Sequence, residues 1–185
     1  MRIISGTARG TKLYTLEGEN TRPTLDRVKE SLFNIIQNDI EDKVVLDLFS
    51  GSGAIGLEAL SRGASAAILC DKSKEAIGII NRNIEKTHSA DKVKVYNMDF
   101  EKCLRGLNEE VDLIYLDPPY NTDFILKSLS IIKDSNILTN STKIILETDD
   151  EQRLINKIEE LDFEIIDKRK YGIAHIIFLK KKSLR

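Results

Sequence analysis

Two stretches of the chain carry residue types suited to chemistry: DLFSGSGAIG, from Asp47 to Gly56, and DPPY, from Asp117 to Tyr120. In the first, glycines permit a tight turn between a strand and a helix and let a ligand approach the backbone. The free N–H groups of a helix beginning near Gly53 point into that turn. Gly51, Gly53 and Gly56 fit the GxGxxG spacing, and Asp71 ends the next strand, as a nicotinamide enzyme would have it. Asp47 separates the two cofactor readings. It lies four residues before Gly51, where a carboxylate would repel a pyrophosphate and attract an ammonium. S-adenosylmethionine (SAM) has no phosphate, and its methionine end carries an ammonium. The pattern DxFxGxG (Asp47, Phe49, Gly51, Gly53) therefore favours SAM over NAD. Asp71, with Lys72 beside it, is expected at the two ribose hydroxyls. Asp99, just after the third strand, is placed to accept from the adenine amino group, and Phe100 to pack on the adenine. Any one of these acids alone reads as a helix N-cap; three at successive strand ends outline a nucleoside.

In the second stretch, Pro118 and Pro119 stiffen the chain and offer no N–H, so the backbone presents carbonyl acceptors. Tyr120 adds a flat face. Two acceptors beside an aromatic plate suit a planar base whose NH2 group must be held. An exocyclic amine is a poor nucleophile because its lone pair is delocalised into the ring. Accepting both N–H bonds, by the Asp117 side chain and the Pro118 carbonyl, favours a pyramidal nitrogen and its developing positive charge. A paired base must leave its stack to reach such a pocket. Asp117, Pro118, Pro119 and Tyr120 are thus the candidate catalytic residues.

The elements that must position these loops alternate. Residues 2–5 and 12–16 read as short strands around a glycine-containing loop. Pro23-Thr24 opens a helix with Thr24 as its cap, and Leu25, Val28, Leu32, Ile35 and Ile36 repeat at helical spacing. Strands are expected at 44–49, 66–71, 92–98, 111–117 and 143–148, with helices from about Gly53 to Arg62, Ser73 to Thr87, Phe100 to Leu107, Phe124 to Lys133 and Glu151 to Leu161. Residues 163–170 and 173–180 flank Tyr171-Gly172, which reads as a hairpin turn. Strict alternation argues for an α/β fold: a seven-stranded, mostly parallel sheet closed by an antiparallel hairpin, with ligands at the strand C-termini. Residues 1–22 are expected to form a small β-hairpin extension to a domain spanning 23–185.

Composition narrows the class. The chain has 185 residues, 41% hydrophobic and 31% charged, which fits one domain with a full core. No apolar run approaches the ~20 residues of a membrane span, and the start lacks a signal-peptide core, so a cytoplasmic location is expected. Cys70 and Cys103 belong to no CxxC or Cys/His cluster, so neither a disulfide scaffold nor a metal site is expected. Net charge is −2, but its distribution is uneven. Basic residues gather at the two ends, around an acidic middle. Arg9, Lys12, Arg22 and Arg27, with Thr24, are the candidate RNA-binding residues, near the mouth of the site; the basic C-terminal run reads as a solvated tail.

MRIISGTARGTKL, TRPTLDRVKESLFNII, VVLDLFSGSGAIGLEALSRGA and DLIYLDPPY together resemble the RsmD family of bacterial 16S ribosomal RNA guanine-N2 methyltransferases. DPPY is shared with many amine methyltransferases, whereas the TRPT segment and the RIISG start are narrower. The resemblance implies a Rossmann-like SAM-dependent enzyme, acting as a monomer on 16S ribosomal RNA or the small ribosomal subunit. It carries Asp47, Gly51 and Gly53 to the methionine end of SAM, Asp71 to the ribose, Asp99 to the adenine and Asp117 to Tyr120 to the target amine. Leu16, Ser50 and Asp71 stand where the family often has Pro, Ala and Glu. Two other readings stay open: a methyltransferase for amines of DNA or other RNA, and a non-catalytic RNA-binding assembly factor.

Overall fold

Strands that are apolar on both faces must be covered on both faces, and this chain supplies helices for each. The computed structural model describes residues 1–16 and 23–182. In chain order the elements are α1 (Pro23–Ile35), β1 (Val44–Asp47), α2 (Ala54–Ser61), β2 (Ala66–Asp71), α3 (Lys74–Thr87), β3 (Val93–Asn97), α4 (Phe100–Gly106), β4 (Val111–Leu116), α5 (Phe124–Lys133), β5 (Leu138–Thr148), α6 (Gln152–Glu160), β6 (Phe163–Tyr171) and β7 (Ala174–Lys181). They form a Rossmann-like α/β fold whose seven-stranded sheet has the order β3-β2-β1-β4-β5-β7-β6. The first five strands of that order run parallel, and β7 and β6 add the antiparallel hairpin. Val45, Leu69, Leu113 and Ile145 pack toward Leu32 of α1, Leu57 of α2 and Ile80 of α3. Their neighbours Leu46, Ile68, Ile114 and Ile144 pack toward Leu104 of α4, Leu129 of α5 and Ile158 of α6. From β1 the chain moves outward to β2 and β3, then returns to place β4 on the other side of β1. This reversal opens a crevice at the C-terminal ends of β1 and β4, where ligands of such sheets bind.

The N-terminal segment forms a short antiparallel hairpin, in which the Ile3 amide donates to the Thr11 carbonyl and the Leu13 amide to the Met1 carbonyl, each at 3.0 Å. Arg2 and Lys12 form one isolated antiparallel bridge in place of two strands. The next amides along the chain turn to α2. Ile4 and Ser5 donate to the Glu58 carboxylate at 2.9 and 3.1 Å, Ala8 to Ser61 Oγ at 2.9 Å and Thr7 to the Ser61 carbonyl at 2.8 Å. Gly6 is required here: its φ is +86°, and a Cβ would lie 1.7 Å from the Ser61 carbonyl oxygen. Ile3 and Leu13 join the core on the α1–α3 face.

Other boundaries also shift. Strand β1 ends at Asp47, so Phe49 belongs to the loop. Helix α1 begins at Pro23, so Thr24 lies in its first turn and not at the cap. Proline suits that first position, where its missing N–H would have no partner. Strand β5 starts at Leu138, pairing with Val111 before a register shift that the Thr142 hydroxyl bridges by donating to the Val111 carbonyl at 2.7 Å. Tyr171 pairs with Ala174, so the hairpin turn is Gly172-Ile173, one residue later than expected, with φ +63° at Gly172.

Glu58 is fully buried and serves four donors: the two amides above, Lys29 Nζ at 3.1 Å and Arg62 Nε at 2.8 Å. Burial lowers the Lys29 pKa, against the pull of Glu58. Removing one partner of such a pair leaves an uncompensated buried charge. Glu58→Ala should therefore destabilise the protein by about 3–5 kcal/mol in urea unfolding. Lys29→Met should be much milder, since Glu58 keeps three donors; equal losses in the two variants would contradict this account.

Candidate cofactor and substrate site

Loops after β1 and β4 meet because those strands are neighbours, with Asp47 in register with Tyr115. The glycine loop is fastened from within. Ser50 Oγ donates to the Asp47 carbonyl at 2.6 Å and accepts from the Cys70 amide at 3.0 Å. Gly51 and Gly53 have φ of +54° and +79°, a backbone that favours glycine. Asp71 closes the loop from β2: one oxygen accepts from the Gly51 amide and the other from the Ser73 amide, each at 2.9 Å. Both oxygens thus already accept from backbone, a role the ribose expectation did not include. Asp99 caps α4 by accepting from the Glu101 amide at 2.9 Å.

Below these loops lies a cavity of about 430 Å³, within the range of small-molecule sites. Of the expected cofactor residues, Phe49, Gly51, Asp71, Lys72, Asp99 and Phe100 line it. So do Asp117, Pro118, Pro119 and Tyr120. Asp47 and Gly53 are outside that wall. Phe100 is 5% exposed and mostly core, while Phe49 and Phe124 are half-buried and present more ring to the cavity. The Phe49 and Phe124 rings stack at 6.2 Å with 5° between planes, and Phe100 leans on both at 5.3 and 5.0 Å.

Asp47 is 1% exposed, and among the described residues neither carboxylate oxygen has a hydrogen-bond partner. The amides of Phe49 and Gly56 approach it and pull its pKa down without reaching hydrogen-bond geometry. Burial, and next the Asp71 carboxylate, push it up to about 7. An orphaned carboxylate beneath the glycine loop fits a cofactor that brings an ammonium and does not fit one that brings a pyrophosphate. At the other loop, burial and then Glu147 and Asp117 push the Tyr120 hydroxyl up to about 12.

Residues 1–180 match the family model described as Conserved hypothetical protein 95. Ribosomal RNA small subunit methyltransferase D of Haemophilus influenzae is 34% identical over 159 residues, 84% of this chain and 82% of that protein. The Bacillus subtilis protein YlbH is 35% identical over 186 residues, 99% of this chain and 100% of that protein. The solved structure of yhhF from Escherichia coli has a TM-score of 0.85 at 28% identity, covering 100% of this chain and 99% of that one. The chain belongs to the ribosomal RNA small subunit methyltransferase D family.

In this family member five residues of the cavity wall escaped the sequence reading: Leu16, Leu48, Met98, Phe124 and Glu147. Phe124 follows DPPY by four residues and Glu147 is next to last in β5, so a strand-end rule applied to β5 would have found Glu147. Arg9, Lys12 and Arg27 are exposed; Arg22 and the Thr24 side chain lie outside the described residues. Lys12 joins a basic and aromatic surface not expected from the sequence. Arg82 Cζ and Lys86 Nζ of α3 lie 3.7 and 4.4 Å from the Tyr14 ring centroid, and Lys86 Nζ donates to the Lys12 carbonyl. The Tyr14 amide donates to Asn83 Oδ1 at 2.7 Å, and Asn83 Nδ2 donates to the Ser52 carbonyl of the glycine loop at 2.9 Å. Among the described residues no helix is long and apolar enough to cross a membrane.

The raised Asp47 pKa has a thermodynamic sign. Between its ordinary value of 3.8 and about 7, folded Asp47 holds a proton that the unfolded chain has released. The Asp47 contribution to stability therefore falls as pH rises from about 4 to about 7. Urea unfolding across that window should show a stability advantage of Asp47→Asn over wild type that grows with pH. A constant difference would mean that Asp47 ionises freely in the folded protein.

Proposed function

We propose that this protein transfers a methyl group from SAM to the exocyclic N2 amine of a guanine in small-subunit ribosomal RNA. The observation that carries this reading is that a glycine loop and a DPPY loop, on neighbouring strands, open into one cavity. Membership of a family whose curated relatives are named for small-subunit ribosomal RNA methylation supports the RNA substrate. SAM, when bound, supplies an electrophilic methyl group.

The chain's own residues do the rest. Asp71 holds the glycine loop in shape and offers its remaining lone pairs to the ribose. Phe49 and Phe124 supply flat apolar walls for the adenine, with Asp99 at the cavity edge as acceptor for its amino group. Asp47 provides negative charge for the ammonium from beneath the loop. Asp117 and the Pro118 carbonyl accept the two N–H bonds of the target amine, and Tyr120 stacks on the base. Charge developing on the nitrogen then meets two acceptors already in place, which stabilises the transition state more than the ground state. Asp117 is also the acceptor at hand for the released proton. Arg9, Lys12, Arg22, Thr24 and Arg27 bind RNA, and Tyr14, Arg82 and Lys86 extend that surface.

Mass spectrometry of ribosomal RNA nucleosides from cells with and without this protein tests the reading directly. Loss of N2-methylguanosine is expected; loss of a methylated adenosine alone would refute it. Asp117→Ala should lower the methyl-transfer rate by roughly 10²–10³-fold, with affinity for S-adenosylhomocysteine nearly unchanged. Asp71→Ala should weaken cofactor binding first. Near-normal turnover in Asp117→Ala would remove that residue from the chemistry.

The RNA surface has its own readout. Neutralising Arg9 and Lys12 together should lower the slope of log affinity against log salt by about 1–2, because each phosphate contact releases counterions. Affinity for S-adenosylhomocysteine should not change. An unchanged slope would move RNA binding to another face.

A further inference from the structure

We infer that Glu147 is the residue that selects guanine, by accepting its ring N1–H beside the amine held at Asp117; the inference rests on the guanine-N2 reading above. Leu116 of β4 pairs with Leu146 of β5, so the next residue on each strand, Asp117 and Glu147, stand side by side. Adjacent strands are about 4.8 Å apart. Both side chains line the same cavity. Glu147 also borders the smaller cleft behind the DPPY loop, with Thr122 and Arg153, and so flanks that loop on two sides.

Glu147 is held in one pose. Tyr115, 4% exposed and anchored in the core, donates its hydroxyl to Glu147 Oε2 at 2.8 Å. Among the described residues this is the only hydrogen bond recorded for the Glu147 side chain, and no cation pairs with it. A carboxylate accepts through four lone-pair directions, so most of its capacity remains after the Tyr115 bond. Burial raises its pKa from the ordinary carboxylate value, the expected consequence of half-burying a charge without a cation.

The Watson–Crick edge of guanine matches two neighbouring carboxylates. It presents N1–H and the N2 amine as adjacent donors on one edge. Asp117 takes the amine, and Glu147 takes N1–H. Adenine and cytosine also carry an amine, but the ring nitrogen next to it is an acceptor. That lone pair would face an ionised carboxylate. Selection therefore arises from repulsion of the wrong base as well as attraction of the right one.

The decisive substrate is 2-aminopurine, which keeps the exocyclic 2-amine but has an acceptor at N1. Small-subunit RNA carrying guanine or 2-aminopurine at the mapped target position would be methylated in single-turnover assays. Wild type should prefer guanine by at least about 100-fold, as expected when a half-buried carboxylate loses its donor. Glu147→Gln should bring that preference below about 10-fold, by losing rate on guanine, with affinity for S-adenosylhomocysteine unchanged. If Glu147→Gln does not fold, Tyr115→Phe, which releases the carboxylate from its hydroxyl, takes its place with the same expected fall. A wild-type preference near one, or an unchanged preference in the variant, overturns the role of Glu147 and leaves guanine methylation standing. No methylation of the guanine substrate by wild type overturns both.

Discussion

The N-terminal segment keeps its place through one buried carboxylate. Glu58 gathers two amides of that segment, Lys29 of α1 and Arg62 of its own helix. A neutral side chain at this position would leave Lys29 as a buried charge without the carboxylate it bonds. The consequence reaches the site. With residues 3–8 docked on α2, the chain continues through Leu13 into Tyr14, which Asn83 ties to the glycine loop, and then to Leu16 in the cavity wall. The surface proposed to hold RNA is thereby built on the same helix and loop that shape the cofactor cavity.

The sheet imposes a second constraint. Parallel strands bring their C-terminal ends to one edge, and in this chain those ends carry Asp47, Asp71, Asp99, Asp117 and Glu147. Helix starts relieve part of the charge: Asp71 accepts from the Ser73 amide and Asp99 from Glu101. Asp47 has no such partner and answers by binding a proton more tightly. The orphaned carboxylate of Asp47 is the point on this edge that a cationic cofactor would relieve.

How much of this was legible in the sequence follows from the range of each interaction. Strand and helix alternation was readable because each element declares itself by local pattern; α5 was expected at Phe124 to Lys133 and lies there. The two chemical loops were readable because glycine and proline mark backbone geometry wherever they occur. Glu58 was not, since its partners lie more than 50 residues away in Ile4 and Ser5. The N-terminal hairpin was readable, but not its shortness: beyond Ile3 the amides of Ile4 and Ser5 turn to that distant carboxylate. Arg82 and Lys86 look like any solvated pair one helical turn apart until Tyr14 is placed between them and the chain. Glu147 was missed because β5 ends without glycine or proline to mark a special turn.

The two loops divide the labour by their hydrogen-bonding sign. Glycines keep their N–H groups, so the loop after β1 is rich in donors; Gly51 already donates to Asp71 and Gly53 to the Ser50 carbonyl. Prolines have none, so the start of the loop after β4 presents acceptors. A methionine-type zwitterion needs both donors and a nearby negative charge, which the first loop and Asp47 supply. The amine of the proposed reaction needs acceptors alone, which Asp117, Pro118 and, one strand over, Glu147 would supply. Exchanging the two loops between β1 and β4 would leave the fold intact and place each ligand against groups of the wrong sign. The sheet order that makes β1 and β4 neighbours is thus only half of the site; the other half is which strand end lost its N–H groups to proline.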